Sequence, residues 1–315
     1  MDGADTNDWR KRPVAGIGIV GLDHVAVTDT WERDGKSVAS LYFEQVGGPV
    51  PVALMAMARL GLADAPCFCG IVGRDAAGRT ITRELRDGGV DTSQVRHVSG
   101  GKTSHSLIVL SDGKNRSLTN YVGTGISEAA GVAPFADVNV GLLHLDGRDL
   151  CHVERVTNRV WETVGKISLD LGSKKPSHAK ILPLCDIVIA SKPGGAGAFP
   201  EVGNCPIEQT KRFLDAGAIV AGVTLGADGA VIGCRDENGG VPLHLPAFRV
   251  PNVVDTCGAG DLFHGAFLWA WREGQGVFDA ATFAQAAVAL RIQRVGNAHQ
   301  PTRAEVEAFL AAPVP

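Results

Sequence analysis

"VVDTCGAGDLFHGAF", residues 253–267, sets two aspartates, Asp255 and Asp261, six residues apart with almost only small residues between them. An apolar helical pattern follows. Glycine lets the backbone turn tightly and brings N–H groups up to a ligand with no side chain in the way. A helix that begins at such a turn adds unpaired N–H donors and the positive end of its dipole. Together these make a hole for an anion, phosphate above all. A carboxylate at that hole repels phosphate unless it has a task. Taking the proton from a hydroxyl that attacks the phosphate is such a task, and Asp261 is placed for it. From physics alone, an ordinary capped helix with an aspartate near its start explains the same residues equally well.

Outward from this stretch, strand-like and helix-like segments alternate. "VAGIGIV" (14–20) reads as a strand and "PVALMAMARLG" (51–61) as a helix, with Pro51 near its start and Gly61 just past its end. "CFCGIV" (67–72) is a strand, and "GRTITRELRDGG" (78–89) is a helix with Ile81 and Leu85 on one face. Short apolar strands follow at 141–145, 166–171, 186–190 and 218–225. Helices fall at 206–216, 261–272, 279–293 and 302–311, the last opening with a capping-box pair, Thr302 and Glu305. Such alternation predicts an α/β fold with a mostly parallel sheet covered on both faces. Residues 24–46, around Asp34-Gly35, and 103–121, a hairpin turning at Asp112-Gly113, break the pattern and are expected to pair as a small second sheet. No long linker or repeat divides the chain, so a polar, disordered tail (1–13) and one domain (14–315) are expected.

Bulk properties exclude several functions. The net charge is -4 and no Lys/Arg block occurs, which argues against nucleic acid and acidic membranes as partners. No apolar run approaches the ~18 residues of a membrane span. The opening "MDGADTNDWRKRP" lacks the apolar core of a secretory signal. Seven scattered cysteines without a CxxC pair predict reduced thiols in a cytoplasmic protein, and nine histidines without HExxH predict no structural zinc. "GIGIVG" matches GxGxxG at Gly16, Gly18 and Gly21, but no helical period follows, so it reads as a glycine-rich first strand. "GGKT" (100–103) lacks a P-loop's earlier glycine, since Arg96 stands there, and Lys102 reads as a turn residue.

Four ordered motifs give the chain a resemblance over nearly its whole length. "DTCGAGD" is similar to the C-terminal signature of the ribokinase/PfkB carbohydrate kinase family, and "VGGPVPVALMAMARLG" (46–61) looks like its N-terminal signature. "FCGIVGRDAAGRTITRELRDGGVDTSQV" resembles the segment that follows, and "VTLGADGAVI" (223–232) the TxGxxG nucleotide motif. The phrases "DGRD", "IASKPG" and "LPAFRVPNVVDTCGAGDLFHGA" are closest to the ketohexokinase and sulfofructose kinase branches. The resemblance implies a ribokinase-like three-layer α/β/α fold whose small β-sheet is a lid, and an ATP- and Mg2+-dependent kinase of a small sugar or derivative. It implies Asp261 as general base, with Gly258, Ala259 and Gly260 as the anion hole. Asp23, with Gly47 and Gly48 by backbone, and Asn120 with Arg148 would bind substrate; Thr224, Gly226 and Gly229 would lie along ATP. It also implies a monovalent cation, K+, at Asp255, with backbone carbonyls near 290–300 completing the site, and a homodimer through the lid.

Two departures bear on substrate and metal. Val52 stands where the family usually has asparagine, so sugar recognition differs at that corner. "SKPG" (191–194) replaces the family's Asn-x-x-Glu magnesium motif, leaving Mg-ATP to waters or other groups with Lys192 near phosphate. Cys257 reads as a thiol whose carbonyl matters more than its sulfur, and His264 as a packing or supporting residue one turn past Asp261. A ketose or a sugar with an anionic tail is the expected substrate, because arginine's rigid donor fork suits carboxylate, phosphate or sulfonate. A nucleoside kinase of the same fold and a non-catalytic sugar- or nucleotide-binding regulator are the competing readings.

Overall fold

The structure is a computed structural model that describes residues 8–32, 34–111, 115–126, 140–148, 164–173 and 178–312. Among these residues the main sheet has eight strands. β1 (Val14–Ile17), β4 (Cys67–Cys69), β9 (Leu142–Leu145), β10 (Lys166–Leu171), β11 (Ile187–Ser191) and β12 (Val220–Thr224) run parallel, and β13 (Ala230–Cys234) and β14 (Leu243–Leu245) close one edge antiparallel. The order across the sheet is β14-β13-β12-β11-β10-β9-β1-β4.

Apolar runs make these strands because both faces are covered. Successive residues feed opposite cores: Leu142, Ile187 and Ile189 enter one, Leu143, Val188 and Ala190 the other. The first core is closed by helices Pro49–Arg59, Ala259–Arg272 and Val277–Arg291, the second by Phe213 and Leu214 of helix Pro206–Asp215. Three layers, α/β/α, result. Thr302 and Glu305 form the expected capping box of helix Arg303–Ala311.

The two irregular segments do pair. β2 (Gly21–Thr28), β3 (Leu41–Gly47), β7 (Ser104–Ser111) and β8 (Asn115–Tyr121) form a separate sheet in the order β3-β2-β7-β8. Its strands begin a few residues before the expected bounds at the first segment, and the Asp112-Gly113 turn lies outside the described residues. "CFCGIV" breaks at Gly70: β4 joins the main sheet, while β5 (Ile71–Gly73) pairs with β6 (Arg96–Val98).

The expected tail needs correction. Residues 1–7 lie outside the described residues, but Trp9–Lys11 form a helical turn and the Trp9 ring packs on Trp271, centroids 5.0 Å apart. A tryptophan carries enough apolar area to dock an otherwise polar segment.

Candidate active site

The main sheet has a switch point between β1 and β9, because the chain leaves β1 toward β4 on one side and returns to β9 on the other. Ligands of α/β sheets bind outside the carboxyl ends at such a crevice. There β1 runs into Gly18-Ile19 and β9 into Asp146-Gly147-Arg148. The buried Asp146 carboxylate ties both ends, accepting from Ile19 N at 2.8 Å and Arg148 N at 3.0 Å. Burial pushes its pKa up to about 6 despite these bonds.

The small sheet contributes a row of polar side chains. Gln45, Asp23, Ser106 and Asn120 stand opposite one another across its four strands, so one face carries all of them. Asp23 is buried between its cross-strand neighbours Ser106 and Gln45, and burial raises its pKa. Gly47 backs this row so closely that a Cβ there would run into the Asp23 carboxyl. Two residues further along the same strands, Val25 and Ile108 pack with Leu110 over the buried Cys257. Arg116 of β8 reaches that sulfur, 3.9 Å from Nη1 to Sγ.

Cys257 leads into the predicted anion hole. Gly258 caps helix Ala259–Arg272 in the left-handed region, φ 73, with its Cα against Asn297; a Cβ would collide with Asn297 Oδ1. Beside Gly260 there is open space. Asp261 follows in the first turn, half-buried. Burial, then repulsion from Asp170 and Asp23, push its pKa up to about 7, while Arg148 and Arg116 pull it down. Asp170, near the end of β10, is also raised to about 7 by burial, with Arg148 and the Gly172 N–H opposing. The structure therefore brings Asp261, Asp23 and Arg148 into one electrostatic cluster. Asn120 is on the face that carries Asp23.

Behind the carboxylates lies a buried histidine pair. His264 Nε2 is 3.5 Å from Asp170 Oδ1, and its ring is 5.5 Å from that of His144, whose Nδ1 meets Ser168 Oγ at 3.2 Å. Burial lowers the pKa of both, His264 to about 3, so neutral imidazoles back Asp170. The Cys257 thiol is pushed up to about 11, chiefly by burial, which makes it a poor nucleophile.

The residues expected along ATP sit at the next strand ends. Thr224 closes β12 opposite Ser191 at the end of β11. Lys192 follows, exposed, at the start of helix Lys192–Ala198, which Ser191 caps through Gly194 N at 3.1 Å. Gly226 opens the turn after β12 and is exposed, and Gly229 leads into β13.

The expected potassium site at Asp255 is not what the structure contains. The Asp255 carboxylate accepts from Arg291 Nη2 at 3.1 Å, Gly296 N at 2.9 Å and Cys257 N at 2.8 Å. The same guanidinium takes the carbonyls of Asp255 and Cys257 and, in the predicted 290–300 stretch, that of Arg294. A side-chain cation thus fills the oxygen cage. Sequence reasoning missed Arg291, Arg116 and Asp170. Only Asp170 carried a signal, a charge inside the apolar strand "KISLDL".

Residues 13–303 match the family described as pfkB family carbohydrate kinase. The chain is 26% identical to the ribokinase of Haemophilus influenzae, over 95% of this chain and 99% of that one. It is 29% identical to the ATP-dependent ribose-1-phosphate kinase of Halopiger xanaduensis, over 89% of this chain and 91% of that one. In fold it is similar to an E. coli protein described as ribokinase II and solved with ATP and Mg2+: TM-score 0.79, 21% identity, 95% of this chain and 99% of that chain.

Proposed function

Since this chain belongs to the pfkB family and is a carbohydrate kinase, we propose that it moves the γ-phosphate of ATP to a hydroxyl of a ketose or sugar derivative bearing an anionic or strongly polar tail. Asp261 is the general base. The observation that carries this reading is the state of that carboxyl: raised to about 7, it stands in the first turn of a glycine-led helix, beside Asp23 and two arginines. A base with a pKa near working pH is largely ionised yet still basic.

In this reading Asp23, Asn120 and Arg148, with the backbone of Gly47 and Gly48, orient the sugar. The hydroxyl oxygen attacks phosphorus in line, its proton passes to Asp261, and the bond to the ADP oxygen breaks. N–H groups of Gly258, Ala259 and Gly260 hold the transferring phosphoryl oxygens. Thr224, Gly226, Gly229 and Lys192 hold the nucleotide. Buried Val52 leaves its corner apolar. Arg148 and Arg116 supply the positive charge that an anionic tail needs, and similarity to a ribose-1-phosphate kinase supports such a substrate.

Mg2+ fits the residues present in its usual mode, through one or two carboxylates plus phosphate oxygens and water. No group of three or more His, Cys, Asp or Glu that could cage a metal occurs among the described residues, and Asp170 is the carboxylate that acts most strongly on Asp261. When bound, Mg2+ neutralises charge on the phosphates.

Among the described residues no helix is long and apolar enough to cross a membrane. The described cysteines, all free, support a cytoplasmic setting. Exposed Leu41, Leu118 and Tyr121 on the small sheet, with Val122 just past β8, support a homodimer through this lid.

ADP release measured with D-ribose, D-fructose, phosphosugars, sugar acids, sulfosugars and nucleosides tests the reading. An anionic ketose or sugar should give the highest kcat/KM. A nucleoside as best substrate would make this a nucleoside kinase, and no turnover with any acceptor would leave a binding protein.

A further inference from the structure

Five oxygens converge on one guanidinium. Arg291 ends helix Val277–Arg291 and is 1% exposed. Its Nη2 donates to Asp255 Oδ2 at 3.1 Å, Cys257 O at 3.2 Å and Asn297 Oδ1 at 3.2 Å. Its Nη1 donates to Arg294 O at 2.8 Å and Asp255 O at 3.4 Å. A carboxylate, three carbonyls and an amide oxygen form the donor set that a hard cation takes. Here the positive charge is covalently attached, and the cage is satisfied without an added ion.

This cage touches the anion hole directly. The Cys257–Gly258 peptide is trans, so a carbonyl turned toward Arg291 points the Gly258 N–H the opposite way, out of the cage. Asn297, held by the same guanidinium, packs against Gly258. Asn297 also grips the small sheet, donating from N to Gln45 Oε1 at 2.6 Å and from Nδ2 to Val46 O at 3.1 Å. Gln45 in turn stands directly opposite Asp23 across β3 and β2. One buried cation therefore orders both the phosphate end and the sugar end of the site.

We infer that Arg291 is a positioning residue for phosphoryl transfer, a resident cation that shapes the Cys257–Gly260 anion hole and makes turnover independent of potassium or any other monovalent metal ion. The inference rests on the reading of Gly258–Gly260 and Asp261 as the transfer site. Arginine suits the place because it stays charged and offers a planar fork of donors.

Two measurements test it. Turnover of the panel's best acceptor is compared in potassium chloride and in tetramethylammonium chloride at equal ionic strength. Affinity for the non-hydrolysable ATP analogue AMP-PNP relative to ADP reads the hole without any sugar. The native enzyme should show equal rates in the two salts, and its rates should not rise as potassium is titrated in. Arg291→Met, which keeps bulk and drops charge, should lose roughly 10²-fold in kcat, the scale of a small misplacement of reacting groups, with KM for ATP little changed. It should also lose its preference for AMP-PNP over ADP. Arg291→Lys should retain more activity than Arg291→Met, and potassium or guanidinium should restore part of the rate of Arg291→Ala. A purely structural arginine would give losses that track the folded fraction and no rescue by cations.

Potassium stimulation of the native enzyme would overturn the inference. So would an Arg291→Met enzyme with native kcat and native analogue preference. Should the variants not fold, the salt comparison on the native enzyme decides alone. Should no acceptor turn over, the kinase reading fails, and the analogue preference of Arg291→Met against the native chain still decides for or against Arg291.

Discussion

Replacing Asp170 by asparagine should move the acid limb of the pH–rate profile to lower pH. Asp261 is raised from 3.8 to about 7 by two main causes, burial first and repulsion from Asp170 second. The substitution removes the second and leaves the first. The limb, which in kcat/KM reports the free enzyme's base, should therefore fall but stay above the ordinary carboxylate value of 3.8. Below both midpoints each pH unit of movement raises normalised kcat/KM about tenfold. Profiles of both enzymes, each scaled to its own alkaline plateau, remove any general loss of activity from the comparison. Because Asp170 and Asp261 titrate together, the native limb belongs to the pair, and its simplification to a single ionisation in the variant is part of the expected result. Arg148→Gln should act in the opposite direction, since Arg148 lowers the Asp261 pKa. A limb that stays in place or rises in Asp170→Asn would refute the account of Asp261.

The same carboxyls burden stability. With folded pKa values raised to about 7, Asp170 and Asp261 hold protons that the unfolded chain releases near 3.8, so stability falls as pH rises through that window. Asp170→Asn should therefore melt above the native protein at about pH 8 by calorimetry, with the gap closing toward about pH 4. Asp261→Asn should lose ~10²–10⁴ in kcat with nearly unchanged KM for ATP; native-like turnover would remove the assigned base. Arg148→Ala should cost ~1.5–3 kcal/mol in kcat/KM, the worth of a hydrogen bond to a charged group, and more for an anionic sugar than for its neutral analogue. Gly258→Ala forces φ 73 on an L residue and drives a Cβ into Asn297, so urea unfolding should show a loss of at least ~1–3 kcal/mol.

Local patterns were legible where one physical preference dominates. Thr302 and Glu305 announce their helix because the capping pair is local. "CGAGD" announces a turn because few residues other than glycine take the backbone of Gly258. The two irregular β segments were recognised as partners because neither fits between parallel strands. Long-range choices were hidden. Arg291 looks like a favourable cation at a helix C-terminus, and nothing local shows that it turns inward to Asp255. Arg116 looks like hairpin decoration until the small sheet folds over Cys257. Gly70 splits "CFCGIV" between two sheets, a division decided by what each half packs against. Trp9 lies in a polar run, and the ring it packs on, Trp271, lies far along the chain.

Asp146 leaves evolution and protein design almost no neighbouring solution. Its two carboxylate oxygens each face a backbone N–H, Ile19 on one side and Arg148 on the other. Asparagine would turn an amide donor toward one of those donors. Serine would be too short to span both. Gly18 leaves no slack for a longer side chain, since even a Cβ at that glycine would come within 2.6 Å of Asp146 Oδ2. The two positions are therefore a joint choice, and a library that varies either one alone explores mostly dead sequences. A redesign of the Arg148 loop for another sugar has to treat the junction into β2 as part of the same cassette.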